Sequence, residues 1–182
     1  YLVESRLNPV CRRFNLATLA DLCTALRTSR RDVEQAVVEA MTTNETFFFR
    51  DRTPFDMFRD VLLPRAITAR AATRRLRIWS AAASSGQEPY SLAMLLKEAG
   101  PRLAGWHIEI VATDLSTEVL EKAKAGFYSH FEVQRGLPAQ LLVKYFSQQG
   151  ERWRIDPALG AMIDFRPLNL LQPFDHLGTF DI

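Results

Sequence analysis

Ile78-Trp79-Ser80-Ala81-Ala82-Ala83-Ser84-Ser85-Gly86-Gln87-Glu88-Pro89-Tyr90-Ser91 is the stretch that decides the fold. The apolar residues Leu76, Ile78 and Trp79 run into residues no larger than serine, and after Glu88-Pro89 the apolar positions Leu92, Ala93, Leu95 and Leu96 recur at helical spacing. This is a strand, a tight turn and a helix. A small-residue turn lets a ligand approach the backbone, and Gly86 permits a positive φ. Glu88 argues against phosphate as that ligand, because phosphate-binding turns present free N–H groups at the helix start and an anionic side chain there repels it. A cationic, hydroxyl-bearing ligand suits the site better. S-adenosylmethionine offers an amino group, a sulfonium and two ribose hydroxyls.

Downstream, Trp106 to Asp114 alternates as a second strand and ends on an acid, with Ser116 placed to cap a helix running to about Ala125. Ligands of open α/β sheets sit beyond the carboxyl ends of the strands, where an acid such as Asp114 is placed to accept hydrogen bonds from ribose hydroxyls. Residues 127 to 137 read as a polar-aromatic connection, Pro138 to Phe146 as a helix, and Arg152 to Ile155 as a short extended piece. Met162 to Arg166 is the third strand, and Phe180-Asp181-Ile182 opens a fourth.

Upstream, Tyr1 to Val10 has helical spacing (Leu2, Val3, Leu7, Val10) with Arg12 and Arg13 in the last turn. Further helices are expected over Thr18 to Arg27 and from Arg30 to about Met41, the last with Ser29 and Asp32 as a capping pair. Thr42 to Asp51 has no period. The phenylalanines Phe47, Phe48 and Phe49 within it cannot all face one core, so at least one ring lines a cleft or an interdomain contact. Thr53-Pro54 then reads as N-cap and first residue of a long helix to about Ala72 that buries Phe55, Phe58, Leu62 and Ile67, with a kink or break at Pro64.

The chain of 182 residues has a formal net charge of +2 and 47% hydrophobic residues. It has no apolar run of membrane-spanning length and opens on no signal-peptide pattern. Residues 1–75 carry thirteen arginines, no lysine and nine acids, whereas residues 76–182 are net −2. That excess is too small to indicate nucleic acid, but it directs an acidic partner toward the N-terminal part, where Arg27, Arg30 and Arg31 cluster. Cys11 and Cys23 read as half-buried helix residues in a reducing compartment. The scattered His107, His130 and His176 offer no metal site.

Four segments together carry a resemblance to a known family: Thr42 to Arg50, Trp79 to Ser91, Ala112 to Ser116, and Phe165 to Leu171. The sequence resembles the chemotaxis receptor methyltransferases, the CheR family, along essentially its whole length. The resemblance implies a helical bundle over residues 1–52, a linker helix over 53–75, and a Rossmann-like α/β domain over 76–182, truncated after the third strand. It implies transfer of a methyl group from S-adenosylmethionine, leaving S-adenosylhomocysteine, to glutamates on the cytoplasmic helices of chemoreceptors by a cytoplasmic, monomeric protein without membrane insertion. Matching residue by residue, Asn44, Thr46 and Arg50 border cofactor and substrate, Ala82 of the turn also binds the cofactor, Glu88 and Asp114 hold the charged and ribose parts, and Asn169 with Leu170 holds the adenine.

A glutamate with a pKa of about 4.3 is already ionised near neutrality, so the chemistry needs no general base. Arg50 is the candidate catalytic residue, because a guanidinium fork can hold one carboxylate oxygen while the other attacks. The alternative for Arg50 is a structural salt bridge to Asp51 or Glu45. Two other functions fit the same residues: a methyltransferase with another acceptor, and a non-catalytic module that senses the cofactor or docks on receptor helices. A dinucleotide oxidoreductase is disfavoured by Glu88.

Overall fold

Leu76, Ile78 and Ser80 are buried while Arg75 and Ala81 face outward, and this two-residue period makes Arg75–Ala81 a strand, β1, covered on one face. In the computed structural model, which describes residues 1–182, β1 pairs in parallel with β2 (His107–Asp114), and β2 pairs in parallel with β6 (Ile163–Pro167). The order is β1-β2-β6, with Arg75 opposite His107 and Ala112 opposite Phe165. Helix α6 (Gln87–Glu98) follows β1 and α7 (Thr117–Ala125) follows β2. Tyr90, Ala93 and Met94 of α6 and Leu120 and Ala123 of α7 share a core with Ile78, Ile110 and Phe165. The expected α/β architecture with its parallel sheet is present.

Phe180–Ile182 forms no regular strand, but it lies along the outer edge of β1. The Asp181 N–H donates to the Arg77 carbonyl at 2.8 Å and the Trp79 N–H to the Ile182 carbonyl at 2.9 Å. Arg77 gathers this segment: its guanidinium donates to the carbonyls of Leu177 and Thr179, pairs with Glu109 at 2.7 Å and lies 4.6 Å from the Phe180 ring centroid.

Between α7 and β6 the sequence reading found one extended piece, where the chain forms three strands. β3 (Phe127–Ser129), β4 (Phe146–Gln149) and β5 (Arg152–Ile155) make a small antiparallel sheet in the order β3-β5-β4. Helices α8 (His130–Gln134), α9 (Ala139–Tyr145) and α10 (Pro157–Gly160) flank its strands. Strands of three or four residues are too short to display an alternation.

The long helix expected after residue 53 is interrupted. Helix α4 (Thr53–Met57) passes into a π-helical turn, Phe58–Leu62, and then into α5 (Leu63–Ala69). Pro64 has no N–H, and its ring would strike the carbonyl four residues back, so the wider turn absorbs the conflict. One added residue per turn shifts the buried face. Leu63 and Ala66 are buried, while Leu62 is 37% exposed and Ile67 only half-buried. The N-cap is Arg52, at φ +50°, rather than Thr53.

The chain divides into two compact units, Tyr1–Thr43 and Asn44–Ile182. Residues 44–52 therefore belong with the α/β unit, because Phe48 and Phe49 are buried in its core. The first unit holds α1 (Leu2–Arg13), α2 (Leu19–Arg27) and α3 (Arg31–Met41), packed through Val10, Cys11, Leu22, Ala25, Val33 and Ala36. Leu2 and Val3 are exposed, and of the two cysteines Cys11 is buried and Cys23 exposed. The cap forms at α2, where Thr18 and Asp21 make a reciprocal capping box, and not at α3. Ser29 adopts φ +55° and Asp32 is taken by Arg30 at 2.8 Å.

Candidate functional site

The carboxyl ends of β1, β2 and β6 open on one side of the sheet, and each carries a residue singled out by sequence. At the end of β1, Ala81 and Ala82 are exposed, with Ala82 at φ +57° and Ser84 at φ +50°. Gly86 adopts φ +93°, where a Cβ would stand 2.8 Å from the Ala123 Cβ, so both the turn and the approach of α7 demand glycine. Glu88, in the first turn of α6, is exposed, and its Oε1 accepts the Ser80 hydroxyl at 2.7 Å.

Asp114 is 7% exposed and both its oxygens are engaged: Oδ2 accepts the Ser84 N–H at 2.7 Å and Oδ1 the Ser116 N–H at 2.9 Å. The carboxylate therefore ties the β1 turn to the start of α7. Each oxygen retains a second lone pair for a hydroxyl donor. After β6, the Leu168 N–H donates to the Asp114 carbonyl at 2.9 Å, which draws Asn169 and Leu170 to the same side. Asn169 is half-buried and its Oδ1 accepts the Leu171 N–H, whereas Leu170 is 48% exposed.

The aperiodic segment reaches this junction through Asn44, whose carbonyl accepts the Ser84 hydroxyl at 2.9 Å. Ser84 thus links Asn44 to Asp114, a role that no local pattern reveals. Thr46 is half-buried. Phe48 packs edge-on against Tyr128 and Phe146, Phe49 against Phe55, and the Phe49 N–H donates to the Ser91 hydroxyl. Phe47 is the ring left at the surface of this core. It lies 5.7 Å from the Arg50 guanidinium and 4.5 Å from that of Arg135.

Arg50 is 51% exposed, donates to the Glu45 carbonyl at 2.8 Å and stands 4.0 Å from Asp51. The Glu45 carboxylate is held by Arg135 at 2.7 Å. That hydrogen bond, with the charges of Arg135 and Arg50, holds the Glu45 carboxyl below the ordinary carboxylate range. Of the two acids of the structural alternative, Asp51 forms a long ion pair with Arg50 Nε at 4.0 Å, and the Glu45 carboxylate is taken by Arg135 instead. Sequence reasoning passed over Arg135, which lies ninety residues from Glu45 along the chain.

Two carboxylates and an asparagine beside three adjoining strand ends, around a turn without bulky side chains, offer hydrogen-bond acceptors to hydroxyl and ammonium groups. That chemistry fits S-adenosylmethionine. No cluster of three or more His, Cys, Asp or Glu side chains is arranged to hold a metal ion.

Residues 44–182 match the family described as CheR methyltransferase, SAM binding domain. Among curated relatives, chemotaxis protein methyltransferase 1 of Pseudomonas aeruginosa is 45% identical over 188 residues, covering 100% of this chain and 68% of the relative. Chemotaxis protein methyltransferase 1 of Vibrio cholerae is 42% identical, covering 100% and 66%. The chemotaxis protein methyltransferase of Escherichia coli is 36% identical, covering 99% and 62%. The chain spans about two thirds of the length of these relatives.

Proposed function

Because the chain belongs to the family of CheR methyltransferases, whose matched domain binds S-adenosylmethionine, we propose that its protein methylates glutamate side chains on the cytoplasmic helices of chemoreceptors, forming γ-methyl esters. The observation that carries this reading is the tie between Asn44 and the Ser84–Asp114 junction, which holds the segment bearing the exposed Arg50 beside the acceptors that suit the cofactor.

S-adenosylmethionine supplies an electrophilic methyl group on a sulfonium. The chain's residues bind, align and exclude water. Asp114 and Glu88 accept from hydroxyl and ammonium groups, and Asn169 with Leu170 borders the adenine. Arg50 takes one oxygen of the acceptor carboxylate, leaving the other free to attack. An ionised carboxylate needs no base, so catalysis comes from alignment, for which in-line positioning is worth about 7–11 kcal/mol. The site works in the cytoplasm, where the acceptor helices lie. No helix of the chain is long and apolar enough to cross a membrane.

The test is methyl transfer by the full-length protein from methyl-labelled S-adenosylmethionine to a receptor cytoplasmic fragment. A glutamate ester releases labelled methanol in mild base, and peptide mass spectrometry places the added methyl on glutamate. Label that survives base would assign another acceptor, and absence of transfer with intact cofactor binding would favour a sensing module.

A further inference from the structure

Arg135 holds the Glu45 carboxylate beside the Phe47 ring, and its backbone is fixed by a close approach to the segment that carries that ring. Its Nη2 donates to Glu45 Oε1 at 2.7 Å, and its guanidinium lies over the ring that Arg50 also approaches. The next residue, Gly136, adopts φ +82°, and a Cβ there would fall 2.0 Å from the Phe48 carbonyl oxygen and 2.9 Å from the Phe47 ring. The backbone carrying Arg135 is therefore pressed against the segment that carries Arg50.

Glu45 is the acid whose main chain Arg50 already holds, through the Glu45 carbonyl at 2.8 Å. A glutamate side chain tethered there is chemically the same group as the proposed acceptor. If released, it would have the advantage of an intramolecular ligand over an incoming carboxylate. We propose that Arg135 is a positioning residue for methyl transfer: by occupying the Glu45 carboxylate it keeps the Arg50 fork free for the acceptor glutamate. This rests on the acceptor role of Arg50 proposed above. The bridge itself is largely solvent-exposed, with side chains 40% and 58% accessible, so it adds little to stability.

The experiment uses the full-length protein with a receptor fragment and measures kcat and KM for the acceptor beside calorimetric affinity for S-adenosylmethionine. Arg135→Gln releases Glu45 and is expected to lower kcat/KM for the acceptor by about threefold to fivefold, the most that an exposed bridge of up to about 1 kcal/mol can hold back, with cofactor affinity within about twofold of wild type. Glu45→Gln removes the competing carboxylate and should stay near wild type, and Glu45→Gln combined with Arg135→Gln should recover most of the lost activity. Arg135→Lys, which keeps the charge on Glu45, should also retain activity and serves if Arg135→Gln melts early. A purely structural bridge predicts the opposite pattern, with both single variants equally impaired and no recovery in the double. That pattern, or wild-type kinetics for Arg135→Gln, overturns the inference. If wild-type protein forms no base-labile ester, it is the proposed function that fails.

Discussion

Asp114 has two duties that pull in different directions. Sequence reasoning assigns it to ribose hydroxyls, while the structure has both its oxygens accepting backbone N–H groups, from Ser84 and Ser116. Asp114→Ala should therefore weaken cofactor binding by about 1.5–3 kcal/mol and, through the buried N–H groups left unpaired, lower stability by about 1–3 kcal/mol. Calorimetry with cofactor and thermal melting without it separate the two duties; an unchanged melting temperature would remove the brace. Arg50 is the converse case, an exposed side chain with one backbone partner. Arg50→Lys keeps charge but loses the planar fork, so acceptor turnover should fall about tenfold while cofactor affinity holds. Loss of cofactor binding with normal turnover at saturation would move Arg50 to the cofactor side.

At the scale of elements, the β1 turn is held by contacts that leave no room for a side chain at Gly86. Gly86→Ala forces a Cβ into α7 at φ +93° and should destabilise the α/β unit by about 1–3 kcal/mol in denaturant titration. The outer edge of β1 depends on Asp181. Partial burial raises the pKa of this carboxyl, but the Arg77 N–H and the Arg70 guanidinium outweigh it and hold the group below the ordinary range. A depressed folded-state pKa gives stability that is fully present above the unfolded value of about 3.9 and is lost as pH falls through the folded one. Wild type should thus lose stability more steeply below about pH 4 than Asp181→Asn does. Parallel acid-unfolding curves for the two would show that Asp181 contributes no such linkage.

For the whole molecule, the positive excess lies in residues 1–75. Within the helical unit Arg27 and Arg31 are exposed, while Arg30 is spent on Asp32 and approaches the Phe14 ring. If this surface meets acidic receptor helices, reversing Arg27 and Arg31 to glutamate should slow receptor methylation. The wild-type rate should fall with salt as charges separated by more than about 8 Å become screened. Wild-type rates for the reversed protein across salt concentrations would leave the cluster a solvated face.

The sequence by itself determined the elements whose signal is local. The strand, turn and helix from Leu76 to Leu96, the second strand ending on Asp114, and the third strand near Ile163 are long enough for periodicity and turn chemistry to show. Tertiary structure alone decided the rest. The strands Phe127–Ser129 and Phe146–Gln149 exist because Arg152–Ile155 lies between them, and the buried face of the helix at Pro64 moved by one residue because a π-turn relieved the ring's clash with the preceding carbonyl. The partners of Asp114, Asn44 and Glu45 lie 30, 40 and 90 residues away, at Ser84 for the first two and Arg135 for the third. Hydrogen bonds over such separations leave no trace in a window of neighbouring residues, because what they require is a meeting of backbones that only the packed chain brings about.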